Sequence, residues 1–408
     1  MTRVIRVEEA QQTIITAAAP VGTEKIAIGE AQGRVLAADV VARIDQPPFR
    51  ASAMDGYAVR FDDLSPGVRL TLIGEAAAGS PTRRAVGKGE AVRIFTGGAV
   101  PYGADHVVIQ ENTRADGAGV IIASEEARRG NIREAAIDFA AGSCLKRKGD
   151  RLTAIDLGLI AAANIAAVDV YRKPIVAYFD NGDELREPGD DLAYGEIIGS
   201  NRYVLDAMIA AAGGAANYLG RAGDSLSAVR EKFLAARGAD IILTVGGASV
   251  GDHDHVKSAF AGAGGVLAFS KIAVRPGKPT WFGAIGDARV LGLPGNPASA
   301  IVCAMLFLNP LIAARGGQAR PVPSLIRARL DAALKSNGPR ETYLRGSLYA
   351  DDAAALKVKA FAREDSSLFS PLAEGNCLIR RAGDAPAAPA GDIVDCLPYG
   401  GFAGSAGA

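Results

Sequence analysis

Apolar positions near the start of the chain recur at a helical period. Val7, Ile14 and Ile15 stand among polar residues, a spacing that predicts an amphipathic helix. A second helical pattern, AIDLGLIAAANIA, follows much later in the chain. We assign these two segments, residues 1–45 and 136–173, to one N-terminal helical and linker domain.

The stretch between those segments has a different pattern. Over residues 46–135, short alternating runs such as EAVRIF and HVVIQE lie between turns that contain glycine, which predicts a β-rich domain. The end of the chain looks similar, with TYLRGSLY, ALKVKAFA, NCLIRR and GDIVDCL separated by Gly, Pro and Asp. Residues 318–400 are therefore predicted to form a small β-barrel-like domain, followed by a glycine-rich tail at 401–408.

Residues 174–317 alternate apolar strands with long helices. PIVAYF precedes DNGDEL, ADIILTV precedes GGASVG, and RVLGL precedes PGNPASAIVCAMLFL. Continuous apolar strands of this kind are buried on both faces of a sheet, so the pattern predicts a central doubly wound parallel sheet. The fold class is thus α/β and multidomain.

Composition adds limits on location and partners. The 408 residues would fill roughly three domains of ~150 residues. Lys plus Arg equals Asp plus Glu at 45 each, so no global field recruits nucleic acid or an anionic membrane. No signal peptide is evident, and the longest apolar run, AIVCAMLFL, ends at Asn309 and Pro310, short of the ~18 residues of a membrane helix. We expect a cytoplasmic protein.

The four cysteines carry no metal-binding spacing. Cys144, Cys303, Cys377 and Cys396 are far apart and form no C-x-x-C pair. We therefore predict four reduced cysteines in the protein core.

The chemistry is expected at the carboxyl ends of the three central strands, where ligands bind in open parallel sheets. GGASVG offers closely spaced backbone N–H groups around Gly246 and Gly247, together with the Ser249 hydroxyl, which suits a phosphate or another oxyanion. The alternative is a tight strand-to-helix turn. LPGNPASA is typical of a helix start, with Asn296 as the N-cap and Pro297 at the first position, whether or not it binds an anion.

Two further segments supply charge. DNGDELREPG places Asp180, Asp183 and Glu184 at a strand end, which suits a hard cation such as Mg²⁺, although a solvated acidic turn would have the same composition. KIAVRPGKPT supplies three cations on a proline-stiffened segment, Lys271, Arg275 and Lys278. These loops together indicate a ligand with phosphate or pyrophosphate and a divalent metal. A Walker A sequence and a G-x-G-x-x-G sequence are both absent.

The G-A-S-V-G spacing around Ser249 also matches a serine-hydrolase nucleophile elbow. Such a triad needs a histidine well downstream of the serine, whereas the chain has only His106, His253 and His255. His253 and His255 lack a third His or Cys nearby, which argues against zinc. Asp252 and Asp254 are better candidates, as carboxylates that line the crevice.

Seven motifs occur in an order that identifies a family. They are PPFRASAMDGYAV, RIFTGGAVPYGADHVVIQE, NGDEL, GEIIGSN, ADIILTVGGASVGDHD, PGKPTWFG and GLPGNPASA. Over nearly its whole length the chain resembles the MoeA-type molybdopterin molybdenumtransferases and the E domain of gephyrin. The resemblance implies a MogA-like central domain and the last step of molybdenum cofactor synthesis, in which adenylylated molybdopterin and molybdate react, a divalent cation assists, and AMP leaves. It also implies a homodimer whose site is shared between subunits.

Site residues follow from the matching motifs. The catalytic set implied by the resemblance is Asp55, Thr96, Glu184 and Asp224. The implied substrate-binding set is Gly246, Gly247, Ser249, Asp254, Lys271, Arg275, Lys278, Pro294, Pro297, Ser367 and Arg345. The implied metal set, for Mg²⁺, is Asp183, Glu184 and Asp138. From local sequence alone, Asp55 could be part of a turn and Asp224 a helix N-cap.

The chain departs from the family pattern at three positions. Asn181 replaces a threonine, Asp252 stands where glutamate is frequent, and Ile137 replaces the carboxylate that precedes Asp138. The loss at Ile137 motivates an alternative, a non-catalytic carrier of molybdopterin or of the molybdenum cofactor. An adenylyltransferase that acts on molybdopterin with ATP is a third hypothesis, and the flanking domains argue against it.

Overall fold

The structure is a computed structural model that describes residues 3–125, 129–247 and 255–400. Up to residue 172, short strands alternate with two α-helices. In chain order these are α1 (Val7–Ala17), β1 (Thr23–Ala27), β2 (Val40–Val41), β3 (Ala51–Ser52), β4 (Gly56–Val59), β5 (Arg69–Ala76), β6 (Glu90–Ile94), β7 (His106–Ile109), β8 (Thr113–Asp116), β9 (Gly119–Ile122), β10 (Ile132–Arg133), β11 (Cys144–Lys146), α2 (Ala154–Ala162) and β12 (Ala167–Tyr171).

The predicted β-rich stretch forms a sheet. Its order is β7-β4-β6-β5-β9-β8, antiparallel except between β5 and β6. Neighbouring residues of one strand point to opposite faces. Ala58 accordingly packs in one apolar cluster with Val92, whereas Val59 packs in a second cluster with Ala91. The runs EAVRIF and HVVIQE are confirmed as strands.

The N-terminal segments contribute to two different cores. β1 pairs with β12 and β2 with β11. Helix α2 is preceded by its N-cap Thr153, whose side chain forms a reciprocal capping box with Asp156. Leu36 and Ile160 belong to the core of this region. Helix α1 instead buries its apolar face, including Ile14, in the core of the central sheet.

The region predicted as the central domain, residues 174–317, contains the main sheet. Its elements are β13 (Ile175–Asn181), β14 (Leu185–Arg186), β15 (Ile197–Ile198), α3 (Asn201–Ala211), β16 (Ala215–Ala222), α4 (Leu226–Ala235), β17 (Ile241–Val245), α5 (His255–Gly262), β18 (Val266–Phe269), β19 (Val274–Arg275), β20 (Trp281–Ile285), β21 (Ala288–Leu293), α6 (Pro297–Cys303) and α7 (Asn309–Arg315). Helices cover both faces of the sheet. Tyr178 packs with α3 and α6, whereas Phe179 packs with α4 and α5. The doubly wound arrangement is confirmed.

The central sheet is mixed rather than wholly parallel. Its order is β16-β13-β17-β21-β20-β18, and the first four strands are parallel. β20 and β18 run antiparallel to their neighbours. Only Gly286 and Asp287 separate β20 from β21, and so short a connection can only join antiparallel strands.

A single helical stretch continues beyond the apolar run that precedes Asn309. A π-helical turn over Ala304–Leu308 joins α6 to α7, and Pro310, which has no N–H to donate, lies just after that turn, where the helical hydrogen-bond pattern already changes. In the described part of the chain, Pro297–Arg315 alone has the length and composition of a membrane-crossing helix. Its most apolar window is 89% buried inside the protein, as in a core helix.

The last region is the predicted barrel. Its elements are β22 (Ile326–Leu330), β23 (Glu341–Ala350), β24 (Leu356–Ala360), α8 (Ser370–Glu374), β25 (Cys377–Arg381) and β26 (Ile393–Pro398). The order β23-β24-β22-β26-β25 closes because β25 also pairs with β23. β19 of the central domain adds to the edge of β23.

All four cysteines are free, as predicted. Cys303, Cys377 and Cys396 are buried, but Cys144 is exposed. The prediction of a core position is therefore wrong for Cys144, which lies on the two-stranded β2–β11 pair, where little protein covers it.

Candidate functional site

The loops that follow β13, β17 and β21 lie against one another. The Gly246 N–H donates to the Leu293 carbonyl at 3.0 Å. A Cβ atom at Gly246 would come within 2.7 Å of the Asn181 carbonyl oxygen, and Gly246 and Gly247 both have positive φ. Only glycine allows this backbone geometry and this closeness. The structure therefore brings the predicted crevice loops together.

Ser249 and Asp254, which we predicted to bind substrate, fall within 248–254, together with Asp252 and His253, and lie outside the described residues. His255 opens helix α5 immediately afterwards.

The acidic loop after β13 is joined to the loop that precedes α4. Asn181 Nδ2 donates to one oxygen of Asp224 at 3.0 Å, and the Asp183 N–H approaches the other at 3.4 Å. Asp224 is not the N-cap of α4, because the Ser225 side chain takes that role. Asp183 and Glu184 are exposed, which leaves their carboxylates accessible to a ligand.

Asp180 does not belong to that exposed group. Its side chain is buried at the end of β13 and accepts a hydrogen bond from the Tyr218 hydroxyl at 3.0 Å. Burial raises the pKa of Asp180 to about 6, although the Tyr218 hydrogen bond opposes the shift. The proposed cluster of Asp180, Asp183 and Glu184 therefore splits into one buried carboxyl and two exposed ones.

Two guanidinium groups hold the backbone of the acidic loop. Arg186 Nη1 donates to the carbonyls of Asp183 and Leu185 at 2.9 and 2.8 Å. Arg221 Nη1 donates to the same two carbonyls, at 3.4 Å to Asp183. The carbonyl of Glu184 accepts from Ile197 N–H at 2.9 Å. Three consecutive carbonyls around Glu184 are thus fixed.

The helix start at LPGNPASA is confirmed, but its cap differs from the prediction. Asn296 occupies the N-cap position and Pro297 the first turn, yet the Asn296 side chain makes no capping bond. Its Nδ2 donates instead to Ser366 Oγ at 2.9 Å. The Ala298 N–H, which has no partner inside the helix, donates to the Ser366 carbonyl at 3.1 Å.

The segment around Ser366 connects several predicted substrate-binding residues. Arg275 pairs with Glu364 at 3.4 Å, and the Ser367 hydroxyl donates to Asp365 at 2.7 Å. Arg345 is buried and donates to the Arg363 carbonyl at 2.7 Å. Arg345 therefore supports this segment from behind instead of reaching the surface.

Lys271 and Lys278 flank the same strand, β19. The Lys278 carbonyl accepts from Ile272 N–H at 3.0 Å, and the Lys271 carbonyl accepts from Ile5 N–H at 3.3 Å. The Lys278 side chain is exposed and that of Lys271 half-buried. Pro294 is buried directly after β21, beside Gly295, whose carbonyl accepts from Asn201 Nδ2 at 2.8 Å.

Asp55 and Thr96 form a separate pair in the β-rich domain. One oxygen of Asp55 accepts from the Thr96 N–H at 2.7 Å and from the Thr96 hydroxyl at 2.9 Å. These bonds lower the pKa of the Asp55 carboxyl, which is exposed. Among the described residues, no hydrogen bond or ion pair joins Asp55 or Thr96 to the crevice.

Asp138 is also apart from the crevice. It is exposed, and its backbone N–H donates to the Gln46 carbonyl at 3.0 Å. Across 3–125, 129–247 and 255–400, no three His, Cys, Asp or Glu side chains are grouped so that they could hold a metal ion. The set of Asp138, Asp183 and Glu184 is thus not assembled within these parts of one chain, because Asp138 lies in the linker region.

Sequence reasoning missed several residues that shape the site. Arg186, Arg221 and Ser366 act on backbone atoms or caps, and Asp365 orients Ser367. The D-S-S run could have indicated a side-chain turn at Asp365. The arginines gave no signal, because their partners are carbonyls that only the folded loop brings together.

Comparisons with known proteins cover almost the whole chain. Residues 5–164 match the MoeA N-terminal region (domain I and II), 187–314 a probable molybdopterin binding domain, and 327–399 the MoeA C-terminal region (domain IV). The molybdopterin molybdenumtransferase of Haemophilus influenzae is 35% identical over 93% of this chain and 95% of its own. That of a Nostoc species is 36% identical over 87% and 84%.

A solved structure agrees with these matches. The molybdopterin biosynthesis MoeA protein of Pyrococcus horikoshii OT3 superposes with a TM-score of 0.82 at 27% identity, covering 97% of this chain and all of that one. The sequence resemblance is therefore confirmed, and this chain belongs to the MoeA family of molybdopterin molybdenumtransferases.

Proposed function

We propose that this protein is a transferase that inserts molybdenum from molybdate into adenylylated molybdopterin and releases AMP, the last step of molybdenum cofactor synthesis. Relatives that bear this name match it over more than nine-tenths of its length. The observation that carries the proposal is the joined crevice: a glycine loop, an acidic loop and the LPGNP helix start meet at one sheet edge. Cytoplasmic location is part of the proposal.

The glycine loop and the cations would receive the substrate's phosphates. Backbone N–H groups near Gly246 and Gly247 can approach an anion without obstruction, with Ser249 and Asp254 as further ligands from the same loop. Lys271, Arg275 and Lys278 supply positive charge, and Pro294 and Pro297 supply a rigid apolar wall. Arg345 contributes indirectly, by holding the segment that carries Ser367.

The acidic loop fits a magnesium ion. Mg²⁺ is usually held by one or two protein carboxylates, with waters and substrate phosphates as the other ligands. Asp183 and Glu184 are adjacent and exposed, on a loop whose backbone is fixed, so they would hold the ion. When bound, it would neutralise charge on the pyrophosphate link during cleavage. Asp224, hydrogen-bonded to Asn181, orders the same loop.

In this proposal a second subunit is needed to bring three residues to the crevice, namely Asp55, Thr96 and Asp138. We infer a homodimer in which the β-rich domain of one copy reaches the crevice of the other. The Asp55–Thr96 pair is solvent-exposed and ordered, as expected of a group that contacts a ligand from outside its own domain. The two Thr96 hydrogen bonds lower the pKa of Asp55 and keep it ionised, so that its carboxylate can accept a hydrogen bond from a ligand.

The test is AMP release from adenylylated molybdopterin with Mg²⁺, with and without molybdate, followed by reconstitution of an apo molybdoenzyme. We expect molybdate-dependent release, at least 100-fold slower in Glu184→Gln and in Asp55→Asn. Glu231→Gln, an exposed change on α4, is the matched control and should leave the rate unchanged. Tight binding without AMP release would favour the carrier alternative, and no binding would contradict both.

A further inference from the structure

A second cavity lies away from the crevice. It has a volume of about 350 Å³ and is found where the helices of the central domain, the connection at 318–323 and the end of β26 meet. None of the residues assigned above to the molybdopterin site lines it. The volume is in the range of small-molecule sites, roughly 300–1,000 Å³.

Most of the lining is apolar and adaptable. Met208 of α3 and Met305 of the π-helical turn contribute, and both pack against the main core. Leu397 and Tyr399 also line the cavity, and the Tyr399 hydroxyl already donates to the Leu372 carbonyl at 2.9 Å. Methionine side chains adjust readily to ligands of different shape.

The charged side chains that line this cavity are all positive. Arg151 and Arg320 line it, and no Asp or Glu among the described residues does. Arg151 is fixed by hydrogen bonds to the Gly33 and Ala211 carbonyls at 3.1 and 2.7 Å, which leave its charge uncompensated. Arg320 is exposed, and within 3–125, 129–247 and 255–400 neither arginine forms an ion pair.

We propose that this cavity binds a small molecule with an apolar chain or ring and a single carboxylate. The methionines and Leu397 would bury the apolar part, and Arg320 with Arg151 would hold the carboxylate, for which guanidinium geometry is well suited. The site is separate from the proposed catalytic crevice and does not depend on it. The walls of the cavity come from three parts of the chain, so a bound ligand would contact all three parts and stabilise their packing.

The methionines of the chain provide a direct test. There are four, Met1, Met54, Met208 and Met305, and the last two line the cavity. Met54 precedes Asp55 and so reports on the proposed active site instead. We would label the methionine methyl groups with ¹³C, assign Met208 and Met305 by single replacements with Leu, and titrate the full-length protein with sodium decanoate below its micelle-forming concentration.

Saturable shifts of the Met208 and Met305 signals are expected below 1 mM decanoate, with Met54 unmoved. Octanoate, which has two fewer methylenes, should bind roughly 15-fold more weakly, at roughly fourfold for each buried methylene. Decylamine should not bind. Arg320→Glu should weaken decanoate binding at least fivefold, whereas Arg327→Glu, an exposed change on β22, should not.

Three kinds of result would overturn the proposal. The first is the absence of saturable shifts at Met208 and Met305. The second is a primary shift at Met54, which would place the ligand in the crevice. The third is equal binding of decylamine or an unchanged affinity in Arg320→Glu, since either would mean apolar adsorption without recognition of the carboxylate. A loss of AMP release alone, by contrast, would leave this inference untouched.

Discussion

Thr96 donates two hydrogen bonds to a single oxygen of Asp55, one from its backbone and one from its hydroxyl. Both bonds favour the ionised carboxylate, so they hold the pKa of Asp55 below its usual range. The second oxygen of Asp55 makes no hydrogen bond among the described residues. The pair therefore presents an ordered, ionised acceptor on an exposed surface.

Thr96→Val should shift the acid limb of the activity profile. The change keeps the shape and the backbone bond but removes the hydroxyl bond, so the pKa of Asp55 should rise toward its ordinary value. If AMP release requires ionised Asp55, the rate will begin to fall at a higher pH in the variant than in the wild type. The measurement is kcat/KM between pH 3 and 7, a range that includes the ordinary pKa of an aspartate, ~3.9. Thr71→Val, exposed in the same sheet, is the control, and an identical shift there would contradict the assignment.

A shared site predicts that two inactive variants rescue one another. In a homodimer whose crevice receives Asp55 from its partner, a hybrid of Asp55→Ala and Glu184→Ala subunits holds one intact site and one doubly altered site. Random pairing makes half of the dimers hybrids, so the mixture should recover about a quarter of wild-type AMP release. The experiment is co-expression of both variants from one plasmid. Activity no higher than that of the separate variants would refute the shared site.

Replacing an arginine that holds the acidic loop should change the Mg²⁺ concentration that the enzyme requires more than it changes kcat. Arg221→Met removes donors to the carbonyls of Asp183 and Leu185, which loosens the backbone on either side of Glu184. We expect the Mg²⁺ concentration for half-maximal rate to rise about tenfold, with kcat largely recovered at saturating Mg²⁺. Arg230→Met, exposed on α4, is the matched control. A lowered kcat that Mg²⁺ does not restore would contradict a positioning role.

Asp180 should make the protein less stable at neutral pH. Its pKa is raised to about 6 in the folded protein, mainly by burial and further by Glu187 and Asp206, against Tyr218 and Arg202. The folded state therefore binds the proton more tightly than the unfolded state, and stability falls as pH rises through about 4 to 6. The cost at pH 8 is on the order of 2–3 kcal/mol.

Asp180→Asn should remove that cost. The variant's free energy of unfolding, compared with wild type by urea titration, should be nearly equal at pH 3 and higher at pH 8. The amide can still accept from Tyr218, so folding should be preserved. A difference that does not change with pH would mean that the carboxyl of Asp180 is already stabilised when ionised. Tyr218→Phe should act in the opposite direction by removing a donor to the ionised form.

Local pattern predicted most of the elements and failed where tertiary context decides. The strands PIVAYF, ADIILTV and RVLGL are present because their apolar runs can only be buried on both faces. The antiparallel strands β20 and β18 were not foreseen, since strand direction depends on the two-residue turn at Gly286. Periodicity predicted helix α1 but could not show that Ile14 packs on the central sheet.

The same contrast holds for the candidate site, where local motifs predicted some features and tertiary contacts decided the others. Motif order located the glycine and acidic loops, and the structure joins them through Asn181 and Gly246. Sequence could not show that Asp180 points into the core, or that Arg345 is buried behind Ser367, because both depend on which way one side chain turns. Bonds to backbone carbonyls, such as those of Arg186, have no sequence signature at all.

The packing of α1 has a consequence for how the protein unfolds. Ile14 shares one continuous core with Phe307 of the central domain and with Tyr343 and Leu397 of the barrel, whereas the β-rich sheet encloses its own two clusters. Residues that share a core tend to open as one cooperative unit. The first and last parts of the polypeptide should thus unfold together, whereas we expect the β-rich sheet between them to unfold separately. In the proposed homodimer, such opening would change the distance between Asp55 and the crevice that it is proposed to reach.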